Sequence, residues 1–387
     1  MDFSKYLADR VLEIPRSGIR DFFEVVQTMT DVISLGIGEP DYVTPWRIRE
    51  AAIFAMEKGK TGYTSNLGTP KLRQAVAKYL GRRCGIDYDP NNEILISVGV
   101  SEALDLALRA LLNPGDEVIY HEPSYVSYNP SVLLCNGKPV SVQTFAENEF
   151  RVLAEDIERA VTPRSKALLL SFPTNPTGGT LRTTDLQPIA DVCRRHDLIV
   201  LSDEIYSELS YDGAEHVSIA SLPGMKERTV LLNGCSKSFA MTGFRVGYAC
   251  APAPIIEAMM KIHQYAIMCA SNMSQEAAIE ALENCQKEVE TMRNDYERRR
   301  NFVVSRLNEI GLPCHVPKGT FYAFPNITPT GLKSKEFSLQ LLKSKKVAVV
   351  PGSAFGNSGE GYVRCCFATG MDKIKEAMDR IEAFVSR

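Results

Sequence analysis

The chain has 387 residues, 44% hydrophobic and 24% charged, the make-up of an ordinary globular protein with ample length to bury a core. Its 44 Lys and Arg against 47 Asp and Glu leave a formal charge of −3, so no basic excess exists to neutralise a phosphate backbone, which argues against nucleic acid as a partner. Asp2, Asp9 and Glu13 interrupt the N-terminal stretch and no apolar run approaches the ~18 residues that span a bilayer, so a cytoplasmic chain without membrane contact is expected.

From about residue 93 to 250 short apolar runs alternate with longer amphipathic stretches. EILISVG, DEVIY, KPVSVQT, KALLLSF, LIVLSDE, TVLLNG and RVGYACA read as strands. SEALDLALRALL and TTDLQPIADVCRRHD read as helices between them, the second with Thr183 or Thr184 as its N-cap. Alternating strand and helix predicts an α/β architecture with a mostly parallel, doubly wound sheet. From residue 252 to about 310 the pattern is helical, and KEVETMRNDYERRRNFVVSRL has the mixed surface of a long connecting helix. Shorter elements return after Gly311, which predicts a smaller α+β domain. The expected division is 46–285 for the large domain and 1–45 plus 286–387 for the small one. Ten cysteines, scattered from Cys84 to Cys366 without a C-x-x-C pair, read as reduced thiols, and the five histidines form no cluster at metal-ligand spacing.

Four places in this order carry chemistry. At Gly99-Val100-Ser101 a strand turns directly into a helix, whose first N–H groups can receive a phosphate; many βα turns look the same, and G-x-G-x-x-G is absent. Asn175, in SFPTNPTGG, follows a strand, though Pro and Gly there also make an ordinary turn. Asp203 closes the apolar run LIVLSDE, with Tyr206 three residues on; the carboxyl ends of such strands border the ligand crevice of open α/β sheets, and an Asp there can equally cap a turn. GCSKSFAMTGFRVG begins after another strand, and its Lys237, with Arg245 eight residues on, can hold an aldehyde and an anion together. A phosphate-loop reading of GCSKS fails, because Ser236 stands where that motif requires glycine.

Taken together, the order Gly99, Tyr125, Asn175, Asp203, Tyr206, Lys237, Arg245, Arg364 closely resembles the fold type I pyridoxal-phosphate aminotransferases of the aspartate aminotransferase superfamily. The resemblance runs from SLGIGEPDYVTP through GYTSNLGTPKLR, FPTNPTGG, SDEIYSEL and SKSFAMTGFRVGY to VPGSAFG and YVRCCFAT. SGIRDFF, VTPWRIREAAI, LPGMKERTV, KIHQYA and GEGYVRC are most similar to a bacterial branch that includes N-acetyl-diaminopimelate aminotransferases, alongside aspartate and aromatic ones. By resemblance, pyridoxal 5'-phosphate is the cofactor. Lys237 binds its aldehyde and then carries a proton as base and acid, and Asp203 faces the ring nitrogen. Asn175 and Tyr206 reach the ring oxygen, and Tyr125 stacks on the ring. The 99–101 turn, with Val100 and Ser101, Ser236 and Arg245, holds the phosphate. Arg364 clamps the substrate carboxylate, helped by Asn175, and Gly38 lets backbone approach it. Tyr63 reaches the phosphate in the neighbouring subunit, implying a homodimer, and IPRSGIRDFF belongs to the part that closes over substrate.

The resemblance implies transfer of an amino group from an L-amino acid to a 2-oxo acid such as 2-oxoglutarate by a ping-pong sequence. A carbon–sulfur β-lyase on the same scaffold, or a non-catalytic cofactor-binding regulator, are the competing readings. Two departures stand out. Gly234 occupies a position where many relatives carry a phosphate-binding serine, and Ser101 one where some dicarboxylate-specific relatives carry lysine.

Overall fold

The computed structural model describes residues 3–14 and 29–386. In chain order the strands are β1 (Ile33–Ser34), β2 (Ile94–Ser97), β3 (Glu117–Glu122), β4 (Lys138–Gln143), β5 (Ser165–Ser171), β6 (Ile199–Asp203), β7 (Thr229–Gly234), β8 (Gly247–Cys250), β9 (Tyr322–Ala323), β10 (Val347–Ala348), β11 (Val350–Pro351) and β12 (Val363–Cys366). Seven of them form one sheet in the order β2-β8-β7-β6-β5-β3-β4. The neighbours from β7 through to β4 run parallel, whereas β8 is antiparallel to both β7 and β2. The reversal follows from the connection: only the stretch 235–246 joins β7 to β8, with no crossover helix to carry the chain back to the starting edge.

Side chains alternate across this sheet, and both faces are covered by apolar residues. Leu169, Leu201 and Leu232 pack with Leu104 and Leu108 of the helix Gly99–Leu111 and with Met259. Leu168, Leu170 and Val200 face the other way, onto Ile189 and Cys193 of the helix Thr183–Arg195. Burial on both faces is why the parallel strands read as near-continuous apolar runs. A third cluster joins Leu35, Tyr206, Val304 and Leu307 to Phe321, Phe337 and Phe367, so the C-terminal part packs onto the end of the sheet where β6 terminates.

Two expectations change in detail. The helix Thr183–Arg195 is capped by Arg182, not by Thr183 or Thr184: Arg182 is extended, and its backbone N–H donates to Oδ2 of Asp185 at 2.9 Å. The helical run after residue 252 resolves into Ala253–Ala266, Asn272–Asn284 and Gln286–Glu309, the last containing the charged stretch read as one long helix. All ten cysteines are unpaired, eight of them buried. Among the described residues no helix is long and apolar enough to cross a membrane, and no group of His, Cys, Asp and Glu is placed to hold a metal ion.

Candidate active site

The carboxyl ends of β5, β6 and β7 lie side by side, and that edge opens into a cavity of about 560 Å³. It is lined by Gly38, Val100, Ser101, Tyr125, Asn175, Asp203, Tyr206, Ser236, Lys237, Arg245 and Arg364, residues that the chain separates by up to 326 positions and the sheet brings to one place. Gly99 adjoins the lining: a Cβ built on it would sit 2.5 Å from Nη2 of Arg245. Tyr63 lies outside the cavity and is 82% exposed. IPRSGIRDFF falls, from Pro15 on, outside the described residues.

Asp203, at the end of β6, is buried. Its Oδ2 accepts from the Tyr128 hydroxyl at 2.8 Å and its Oδ1 from the Ile205 N–H at 3.2 Å. Burial pushes the carboxyl up to about 6, against the pull of those two hydrogen bonds and of the Lys237 charge. Lys237 sits three residues beyond the end of β7 at Gly234, and its Nζ donates to the Gly38 carbonyl at 2.7 Å. Burial brings this amine down to about 8, with the positive charges of Arg364 and Arg245 acting in the same direction.

At the β2 end, Gly99 has φ +76° and opens the helix Gly99–Leu111. Arg245, itself left-handed at φ 52°, lays its guanidinium against that turn and donates to the Thr242 carbonyl at 3.1 Å. Helix N–H groups, the Ser101 and Ser236 hydroxyls and a guanidinium make this end of the cavity a cradle for an anion. Gly234 has no room for a serine: a Cβ there would lie 2.9 Å from Cα of Gly247, on the adjacent β8.

Arg364, on β12, is buried and held in plane, with Nη1 donating to Oδ1 of Asn175 at 2.9 Å and Nη2 to the Gly36 carbonyl at 2.6 Å. Each of these nitrogens keeps a second N–H, and the side chain lines the cavity, which suits a carboxylate arriving there. The Tyr206 hydroxyl pairs with the Tyr322 hydroxyl at 2.9 Å. Tyr125 meets Tyr128 edge to face at 5.6 Å.

Tyr128 and Tyr322 line the cavity and escaped the sequence reading. Tyr128 is the second tyrosine of PSYVSY, three residues beyond Tyr125 and the first residue of the helix Tyr128–Leu134, a spacing that can bring two rings to one side. Tyr322 had no such signal, since its partners are far away in sequence.

The aminotransferase class I and II sequence profile matches residues 30–381. The chain is 51% identical to the aspartate aminotransferase of Pyrococcus abyssi, over 97% of both chains. It is 45% identical to a probable N-acetyl-LL-diaminopimelate aminotransferase of Bacillus subtilis, over 98% of this chain and 95% of the relative. Among solved structures, an aromatic aminotransferase from Pyrococcus horikoshii superposes with a TM-score of 0.91 at 49% identity, covering 95% of this chain and 98% of the other.

Proposed function

The chain belongs to the class I and II aminotransferases, enzymes that use pyridoxal phosphate to pass an amino group from an amino acid to a 2-oxo acid, and from that premise we propose the following residue roles, substrate class and assembly. Lys237, Asp203, the 99–101 turn with Ser236 and Arg245, Tyr125, Asn175 and Tyr206 would hold pyridoxal phosphate. The observation that carries this is a buried carboxylate, Asp203, with no ion-pair partner among the described residues, in the same cavity as the largely enclosed amine of Lys237 and an anion cradle. Bound there, the cofactor supplies an electron sink for a carbanion at the substrate Cα.

The chain's own groups do the rest. Arg364 binds the α-carboxylate and Asn175 keeps its fork in plane, which points the Cα–H bond toward Lys237. Nζ of Lys237, uncharged in part at neutral pH because of its burial, takes that proton and returns it one atom further along. Asp203 would hold the cofactor's ring nitrogen in its protonated form through its carboxylate, and Tyr206 would donate a hydrogen bond to the ring oxygen. The proposed small domain, through its described residues 29–45 and 286–386, would cover the cavity on the large one, 46–285, and exclude water from it.

The donor is proposed to be an aromatic or other bulky L-amino acid, with 2-oxoglutarate as acceptor and a ping-pong order. Ile37, Val126 and Tyr322 line the cavity beside Arg364, and Ser101 stands where some dicarboxylate-specific relatives carry lysine. Two relatives of comparable identity carry aromatic and aspartate names. A panel of amino donors with 2-oxoglutarate decides: turnover of phenylalanine or tyrosine with kcat/KM at or above that of aspartate supports the proposal, and turnover confined to aspartate overturns it.

A homodimer is proposed with Tyr63 contributing to the neighbouring site. Trp46, Phe54, Met56, Tyr63, Tyr265 and Met268 are all about half exposed or more, an apolar set that favours cover by a second copy. Cytoplasmic residence fits ten unpaired thiols.

A further inference from the structure

We propose that Tyr322 is a positioning residue for the reaction: its ring fixes the plane of Arg364, and its hydroxyl fixes the direction in which Tyr206 donates its proton. This rests on the roles proposed above for Arg364 and Tyr206 and adds a residue to them.

Three observations meet at this side chain. The guanidinium carbon of Arg364 lies 4.3 Å from the Tyr322 ring centroid. The hydrogen bonds to Asn175 and Gly36 fix the guanidinium within its plane, and the out-of-plane restraint they lack comes from two rings, Tyr322 and, farther off at 5.0 Å, Phe355. Backbone pairing sets up that contact, because β9 and β12 are antiparallel with Tyr322 opposite Cys366, two residues from Arg364.

The second observation is the contact between hydroxyls. Tyr206 and Tyr322 approach to 2.9 Å, both buried. A phenol has one proton, so only one of the pair donates across this gap. If Tyr206 donated here, it would have no proton to offer the cavity. With Tyr322 as donor, Tyr206 accepts on its oxygen, keeps its own proton for the cavity and is made a stronger donor by the bond it receives.

The third is the space around the hydroxyl. A Cβ at Gly38 would lie 2.5 Å from the Tyr322 oxygen, so the absence of a side chain at 38 is what admits the phenol. The carbonyl of the same Gly38 receives Nζ of Lys237. Tyr322 therefore touches the backbone that holds the amine, the guanidinium proposed to hold the carboxylate and the phenol proposed to face the ring oxygen.

The test uses three holoenzyme variants, Tyr322→Phe, Tyr322→Leu and Arg364→Lys, with calorimetric binding of the unreactive carboxylate 3-phenylpropionate, steady-state constants, and a pH titration of the visible absorption band. Tyr322→Leu is expected to weaken 3-phenylpropionate and raise KM for amino and oxo acid about tenfold. Tyr322→Phe keeps the ring, so carboxylate binding stays within about twofold, while kcat falls and the pH midpoint of the visible band moves upward by roughly half a pH unit. An unmoved midpoint in Tyr322→Phe, or carboxylate binding as weak as in Tyr322→Leu, overturns the inference. Should Tyr322→Leu not fold, the midpoint in Tyr322→Phe decides alone. Normal carboxylate binding in Arg364→Lys removes the underlying assignment and the inference with it; a loss there without a loss in Tyr322→Leu leaves the assignment standing and overturns only the role of Tyr322.

Discussion

The Tyr128 hydroxyl donates to Oδ2 of Asp203 across 2.8 Å, with both side chains buried. A neutral donor stabilises the carboxylate without neutralising it, so the charge remains for a cation to meet. In the unliganded protein that charge is a burden on the fold.

The stability of the apoprotein should therefore depend on Asp203 and on pH. Burial raises its carboxyl from 3.8 to about 6, so the folded chain keeps a proton that the unfolded chain releases. Stability from this group is fully present below about pH 4, is lost as pH rises to about 6 and is level above that. Apo Asp203→Asn is expected to resist urea better than the apo parent at pH 7.5, by on the order of 1–3 kcal/mol, with the gap closing toward pH 4 and cofactor affinity falling at least ~100-fold. Equal unfolding midpoints of the two apoproteins at pH 7.5 would contradict this.

Cofactor capture should follow the amine of Lys237. Burial brings it to about 8, where a free lysine stays charged until above pH 10. The rate at which apoprotein takes up pyridoxal phosphate is expected to rise roughly tenfold between pH 7 and pH 9 and level off beyond, as followed by stopped-flow absorbance. A rise that continues unabated to pH 10.5 would mean the amine is not perturbed.

The phosphate cradle is tested by Gly99→Ala. Position 99 has φ +76°, and a methyl there would meet Nη2 of Arg245 at 2.5 Å, so the substitution strains the turn and displaces the guanidinium together. Cofactor affinity is expected to fall ~10- to 100-fold, with kcat at saturating cofactor much less affected. Equilibrium dialysis showing undiminished affinity would detach Gly99 and Arg245 from cofactor binding.

What the sequence disclosed and what it hid follow one physical division. Asp203, Lys237 and the 99–101 turn sit at strand ends, where a local change from apolar run to polar turn marks the crevice; each alone also fits an ordinary turn, and their shared order along the chain carried the resemblance. Tyr128 and Tyr322 act through contacts across 75 and 116 positions, and apart from the spacing of Tyr128 from Tyr125 nothing local distinguishes them from core aromatics. The parallel strands were legible because both faces are buried, whereas the reversal at β8 depends on how the chain leaves β7. Arg182 became the helix cap because Asp185 serves its N–H, a pairing that composition alone ranks below threonine.

The proposed dimer makes a prediction with a defined yield. If Tyr63 serves the neighbouring site, co-refolding Tyr63→Ala with Lys237→Ala, each nearly inactive alone, gives hybrids that carry one intact site. Random pairing then restores about a quarter of the parental activity. Activity no higher than the sum of the two separate variants would place Tyr63 in its own chain's site or in none.

The central claim is that one amine, Lys237, holds the cofactor. Borohydride reduction of the purified holoenzyme, followed by peptide mass mapping, tests it most directly. The expected result is a phosphopyridoxyl group on the peptide containing Lys237, absent after Lys237→Ala. Labelling of a different lysine in the parent protein, or no stable label at all, would contradict it.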